Sequence, residues 1–197
     1  MKGMRPGNAW LRKEITTVKI TFEPHRIGEY ETLDLSRPGT IISAAKRGRR
    51  NRALDAAARE AVRAGALLRT RVASHPDFAE ALSLDAEILT LRAYELESGK
   101  PIAYQPGDIE ADIPIVIAVL DLDWGVDGSA RGEVLKLVKN LWSLAPNSNA
   151  HILITTPDPP ATIPLPFLRG SIIHLANADY REYNALRTQM VLRLTDH

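Results

Sequence analysis

The stretch that most constrains the fold is residues 113–122, IPIVIAVLDL. It is almost entirely apolar, rich in β-branched residues and closed by an acid. It is also far shorter than the roughly 18 apolar residues that cross a bilayer. Such a run suits a strand buried on both faces, the situation of an inner strand in a parallel sheet with helices on either side. Parallel strands need long crossovers, usually helical. The rest of the chain should therefore alternate strands with helices.

It does. Residues 14–22 alternate with Ile15, Val18, Ile20 and Phe22 as apolar markers, and residues 30–35 form a return strand, so an N-terminal β-hairpin is expected. Pro38-Gly39 breaks the chain before a short apolar strand, TIISAA, at 40–45. Residues 46–52, KRGRRNR, are expected to be a basic loop, and 52–68 a helix rich in Ala, Arg and Leu. A strand over 67–72 follows. Pro76 suits the start of a helix over 77–97, whose Leu82, Leu84, Ile88, Leu89, Leu91 and Leu96 make a wide apolar stripe ending at Ser98-Gly99. Residues 99–112 form a loop. After a turn at 125–128 come a helix over 129–145, with Val134, Leu137, Val138 and Leu141 inward, and a strand over 151–155. A Pro-rich loop runs from 156 to 166. A strand over 171–176, a helix over 179–188 and a strand over 190–194 complete the chain. The expected class is α/β, a mostly parallel sheet with flanking helices and an N-terminal β-hairpin. Residues 1–13 are read as an arm and 14–197 as a single domain, a size that one core can serve.

Charge is divided along the chain. The net charge is +1, yet residues 1–75 hold 16 Lys and Arg against 7 acids, and residues 76–197 hold 9 against 17. Such a split suits a basic face for nucleic acid or an acidic partner, attraction between subunits, or two solvated faces. The absence of Cys excludes disulfides, thiolate metal sites and cysteine nucleophiles. The basic start has no apolar run behind it, so a cytoplasmic protein without a membrane partner is expected. The five His lack metal-ligand spacing, and there is no G-x-S-x-G elbow.

Ligands of parallel sheets bind beyond the carboxyl ends of the strands, which selects the loops at 44–52, 121–128 and 155–166. The first stands where a phosphate-cradling loop would open a helix. A working one reads G-x-x-x-x-G-K-[ST]: glycines let backbone N–H groups wrap the phosphates, Lys reaches the terminal ones and the hydroxyl binds Mg²⁺. Here Lys46, Arg47, Gly48, Arg49, Arg50, Asn51 and Arg52 offer one glycine, with Arg50 at the Lys position and Asn51 at the Ser/Thr position. They form the candidate anion- or nucleotide-binding set. No acid lies between Asp34 and Asp55, so the cluster should seek an anion elsewhere: DNA phosphate, sulfate or a neighbouring subunit. The second loop begins Asp121-Leu122-Asp123. An apolar strand ending in Asp suits Mg²⁺ coordination, making Asp121 and Asp123 the candidate catalytic or metal residues. Leu122 stands where an activating Glu would be. In the third loop His151, Thr155 and Thr156 are candidates. Tyr180, Arg181, Tyr183 and Arg187 can stack on bases or simply face solvent.

Taken in order, LDLSRP (33–38) leading into TIISAAKRGRRNR, then IPIVIAVLDLDW, then residues 133–186 from EVLKLVKNLW through AHILITTPDPP to YREYNAL, resemble the RecA-like motor domain of FtsK/SpoIIIE-type DNA translocases and their HerA relatives. The resemblance covers residues 30–188 and is best over 113–188. It implies a P-loop NTPase fold of RecA type, with ATP and Mg²⁺ as the family's cofactors and DNA, further copies or an active motor subunit as partners. The departures all concern chemistry: most P-loop glycines are missing, Arg50-Asn51 replace Lys-Ser/Thr, Leu122 replaces the Walker-B Glu, and Pro157 stands where the family's sensing Gln would be. They imply a degenerate structural, regulatory or DNA-binding subunit of a translocation, transfer or secretion system that does not hydrolyse nucleotide. The alternatives are a divergent ATPase using Arg50 and Asp121 or Asp123, and a nucleotide-independent DNA-binding accessory protein.

Overall fold

The computed structural model describes residues 19–23, 30–100, 102, 111–124 and 129–175. The arm 1–13, the turns at 25–29 and 125–128, the helix over 179–188 with Tyr180, Arg181, Tyr183 and Arg187, and the strand over 190–194 lie outside these residues.

Strands β1 (Lys19–Phe22) and β2 (Glu31–Asp34) pair antiparallel as the expected hairpin. The core is a five-stranded parallel sheet of β3 (Gly39–Ser43), β4 (Leu67–Val72), β5 (Ile115–Leu120), β6 (Ala150–Thr156) and β7 (Ser171–His174), in the order β4-β5-β6-β3-β7. The helices are α1 (Arg47–Arg63), α2 (Phe78–Ser98) and α3 (Ser129–Leu144). The strand read as inner is inner, with β5 between β4 and β6, and β3 is inner as well, between β6 and β7.

The period-2 geometry of a strand sends alternate residues to opposite faces, and both faces are dry. Ile41, Ile115, Ile117, Val119, Ile152 and Ile154 point into one core with α2 and α3, where Leu82, Leu89, Val138, Leu141 and Trp142 meet them. Ile42, Val116, Ala118, Leu153 and Ile173 point into the other, with Ala53, Leu54, Ala57 and Ala61 of α1 and Phe22 and Leu33 of the hairpin. Truncating a fully buried Ile such as Ile117 to Ala should therefore cost about 4 kcal/mol. Gly39 permits one close approach. A Cβ there would lie 2.3 Å from the Ile152 carbonyl oxygen and 2.4 Å from the Trp142 ring.

Two expectations need correction. Residues 47–52 are not a loop but the first turns of α1. Arg is a good helix former, and the Lys46 carbonyl accepts from Arg49 and Arg50 N–H at 3.0 and 3.3 Å. The stripe on α2 is also only partly buried. Leu82, Ile88 and Leu89 face the core, whereas Leu84, Leu91 and Leu96 are exposed, because the stripe is wider than the face the sheet and α3 cover.

Polar anchors hold the edge and the amino end of the sheet. On edge strand β4, Arg69 and Arg71 both reach Asp85 of α2, whose side chain is fully buried, at 3.1 Å and at 2.7 and 2.8 Å. Charge on an edge strand also discourages pairing with another chain. The Arg71 guanidinium is held above its usual pKa by its hydrogen bonds to Asp85. Fully buried Arg92 donates to the carbonyls of Ser148 (3.0 Å), Ala111 (3.2 Å) and Ile113 (2.6 Å), tying α2 to the turns that lead into β5 and β6.

Candidate functional site

The carboxyl ends of the strands come level at the crevice where this architecture places ligands. Ser43 lies opposite Thr156 on one side and His174 on the other. Only Ala44, Ala45 and Lys46 separate β3 from α1. Gly48 is already helical, does not adopt positive φ, and has open space where a Cβ would be. It serves neither a tight turn nor a close backbone approach.

One turn into α1, Arg50 points back under the connection and is 5% exposed. Its Nη1 donates to the carbonyls of Ala44 (2.6 Å) and Ala45 (3.1 Å). Its Nε and Nη2 both donate to Asp121 Oδ1, at 3.2 and 2.7 Å. Arg47, largely exposed, reaches the other carboxylate oxygen at 3.0 Å. Asp121 is thus shared by two arginines from consecutive turns of α1.

Asp121 is presented by an unusual backbone. Its φ of 55° is left-handed, which Asp tolerates better than most residues. Asp121 N–H donates to Thr155 Oγ1 at 2.9 Å, and Leu122 N–H to the Thr155 carbonyl at 2.8 Å. Leu122 is thereby turned into the core, 4% exposed. Nothing acidic occupies the activating position, and Asp123 is half-buried beyond it.

The remaining crevice wall is tied internally. Ser43 Oγ donates to the Asp158 carbonyl at 2.5 Å and lies 3.2 Å from His174 Nδ1. The Asp158 carboxylate accepts from Trp124 N–H (2.5 Å) and Thr156 Oγ1 (3.3 Å). Sequence reasoning missed Ser43, Asp158 and His174. The only signal was their position at strand ends.

Of the basic set, Arg47 and Arg50 join Asp121. Lys46, Gly48 and Arg52 are exposed, and Arg52 Nε donates to the Gly48 carbonyl at 3.1 Å. Arg49 is half-buried. Asn51 is half-buried, and its Oδ1 has no hydrogen-bond partner among the described residues. The first turn of α1 holds no acid, so its positive helix end and its cations repel one another. Asp121, from the acidic half of the same chain, offsets two of them. His151 lies at the other end of β6. Its Nδ1–H donates to the Arg37 carbonyl and its Nε2 accepts from Thr40 Oγ1, both at 3.0 Å. Burial pushes its pKa down to about 4. It is a neutral structural histidine, far from the crevice.

No protein-family model and no curated protein matches the sequence. Among solved structures, the cytoplasmic domain of EssC is similar, with TM-score 0.50 and 11% identity over 87% of this chain. The AMPPCP-bound DnaA of Aquifex aeolicus and a DNA replication initiation factor align more loosely, with TM-scores 0.41 and 0.40 and 15% identity over 78% and 77% of the chain. The chain spans 39% of the EssC structure's length, and 45% and 44% of the other two. The EssC likeness bears on the fold alone, a P-loop NTPase-like parallel sheet with flanking helices. Among the described residues, no helix is long and apolar enough to cross a membrane.

ATP with Mg²⁺ is the group such a fold implies, and these residues do not fit it. The three-residue connection is too short for a loop of wrapping N–H groups. The Arg50 guanidinium fills the space beneath it, the Ser/Thr position carries Asn51, and Asp121 already holds two cationic partners.

Proposed function

We propose that this domain is a catalytically inactive P-loop-type module, a structural or regulatory subunit that works beside an active motor in a DNA-translocation, transfer or secretion system. One observation carries the inactivity: buried Arg50 spans the space between the head of α1 and Asp121, where a bound nucleotide and its metal would lie. A guanidinium is a fixed fork that cannot act as a flexible Lys reaching the end of a triphosphate. Without that Lys, the metal site and a water-activating acid, transition-state charge has no clamp, and each such loss costs about 3 kcal/mol or more. The placement beside a motor rests on the FtsK/HerA resemblance of residues 30–188. Steady-state ATP hydrolysis is the test. Turnover at background level, unchanged by Asp121→Ala, is expected. Turnover that Asp121→Ala abolishes would return the domain to the active ATPases.

Nucleotide-independent DNA contact is a second reading, favoured by the exposure of Lys46, Arg47 and Arg52 at the head of α1. Under it, duplex DNA binding weakens steeply with salt, and changing these three to Ala flattens the slope by about three units. Equal slopes for the variant and the wild type would remove it.

A further inference from the structure

Edge strand β4 presents apolar surface and open main-chain groups along its outer side. The chain turns tightly into it. α1 ends at Arg63, Gly65 takes a φ of 90°, and Ala66 N–H donates to the Ala61 carbonyl at 3.0 Å. This turn lays the start of β4 beside the last turns of α1. Between them runs an open groove of about 640 Å³, lined by Asp55, Ala58, Arg59, Val62, Arg63 and Leu68. Val62, Leu67 and Leu68 are 50%, 39% and 38% exposed. Leu67 N–H and Ala73 N–H point inward, to the Pro114 and Leu120 carbonyls at 2.8 and 3.1 Å. Main-chain groups of a strand alternate between its two sides, so those of Leu68 and Thr70 point outward. No strand pairs with them among the described residues.

Arginines stand on both faces of this edge. On the α1 face, Arg59 Nε donates to the Asp55 carbonyl of its own helix at 3.2 Å, and the guanidinium makes no ion pair among the described residues. Arg63 pairs with Glu60. The one acid lining the groove, Asp55, lies about two turns of helix before Val62. On the α2 face, Arg69 and Arg71 share the single carboxylate of Asp85, which leaves one positive charge in excess. A second copy of β4 fits this edge poorly. Antiparallel pairing of two such strands about Thr70 sets Arg69 of each against Arg71 of the other, and like charges directly opposite are destabilising. Nucleic acid would use the cations but neither the groove nor the outward main-chain groups.

We infer that the outer edge of β4 is a docking site for an extended segment of a partner protein in which apolar and acidic residues alternate. Its main chain pairs with Leu68 and Thr70, adding a sixth strand to the sheet. Its side chains fall alternately to the two faces, the apolar ones against Val62 and Leu68 and the acids beside Arg69 and Arg71. A flanking acid on the groove side meets Arg59. In strand addition of this kind, main-chain bonds supply affinity and the side-chain contacts supply specificity. The site lies at the amino end of the sheet, away from the crevice of Arg50 and Asp121, and does not depend on whether nucleotide binds there.

The test uses the full chain and a fluorescein-labelled synthetic nonapeptide in which Val alternates with Glu or Asp. Fluorescence polarisation reads binding, and amide hydrogen exchange reads the edge. The Leu68 and Thr70 amides should exchange freely in the chain alone and become protected when the peptide is added. N-methylating the central peptide amides should weaken binding by about tenfold or more, and Lys in place of the peptide acids should abolish it. Arg59→Glu should weaken binding about fivefold. Thr70→Pro removes an outward N–H that the sheet does not use and should weaken it about tenfold. If that variant folds poorly, the N-methylated peptide reads the same bonds on the wild-type chain. Equal binding of the N-methylated peptide would reduce the contact to charge and overturn the inference. So would the absence of saturable binding below about 1 mM, or protection of the same amides by duplex DNA. Leu68 and Thr70 amides already protected in the chain alone would also overturn it: protection independent of concentration would mean that the chain covers its own edge, and protection rising with concentration would make the occupant a second copy.

Discussion

Two buried arginines hold opposite ends of this sheet, and they differ in what they hold. Arg92, at the amino ends of β5 and β6, donates to backbone carbonyls and closes two turns against α2. Arg50, at the carboxyl ends, holds two carbonyls and the carboxylate that ends β5. The first is a clasp that any fold can use to satisfy buried carbonyls. The second sits in the crevice that the architecture keeps for ligands, and its partner is the acid that such a fold offers to a metal. A guanidinium buried by its surroundings stabilises whatever is there, while one buried at a ligand crevice also limits what can enter.

Arg92→Met should have the largest effect, because it keeps most of the volume but strips donors from at least three carbonyls. A loss of about 4 kcal/mol in denaturant unfolding is expected, and a loss below about 1 kcal/mol would deny the clasp. Asp121→Ala should come next, at about 3 kcal/mol, since it leaves Arg50 buried without its carboxylate. Adding Arg50→Met should recover much of that loss, because a missing pair costs less than an unpaired charge. A double variant as unstable as the sum of the single changes would show that the two residues are not coupled.

The pH dependence separates the amino end further. The folded pKa of His151 is depressed from 6.5 to about 4, so between these values the unfolded chain binds a proton that the folded chain refuses. Stability is therefore full above pH 6.5 and declines as pH falls toward 4. From pH 7 to pH 5 the decline due to His151 is about 2 kcal/mol. His151→Gln should flatten this part of the unfolding profile, and a profile unchanged by the substitution would contradict the buried neutral imidazole. The smallest effect is expected from Arg47→Ala. Its side chain is 69% exposed although it touches Asp121, so the cost should stay below about 0.5 kcal/mol. A cost near that of Asp121→Ala would mean that Arg47, not Arg50, carries the pair.

The sheet could be read from sequence because its strands are uniform. IPIVIAVLDL and TIISAA are apolar on both faces, which few other arrangements accept. The position of Asp121 followed from the strand before it, and that of Arg50 from the helix after β3. Their meeting did not, because 71 residues separate them and no local pattern encodes the contact. The start of α1 was misplaced for a related reason: a cluster of cations reads as a solvated loop until its counter-charge is known. Arg92 was invisible among the leucines of α2, since its carbonyl partners carry no side-chain signature. The exposed half of the α2 stripe was hidden too, because hydropathy reports what a face could bury and not what the fold provides to cover it.

Under the proposed reading, Arg50 and Asp121 satisfy each other in place of a nucleotide and its metal. Calorimetric titration of ATP into the wild-type chain, with and without Mg²⁺, tests it most directly. No saturable binding tighter than about 1 mM is expected in either condition, equivalent to less than about 4 kcal/mol. Saturable, Mg²⁺-dependent binding in the micromolar range, weakened by Asp121→Ala, would contradict it.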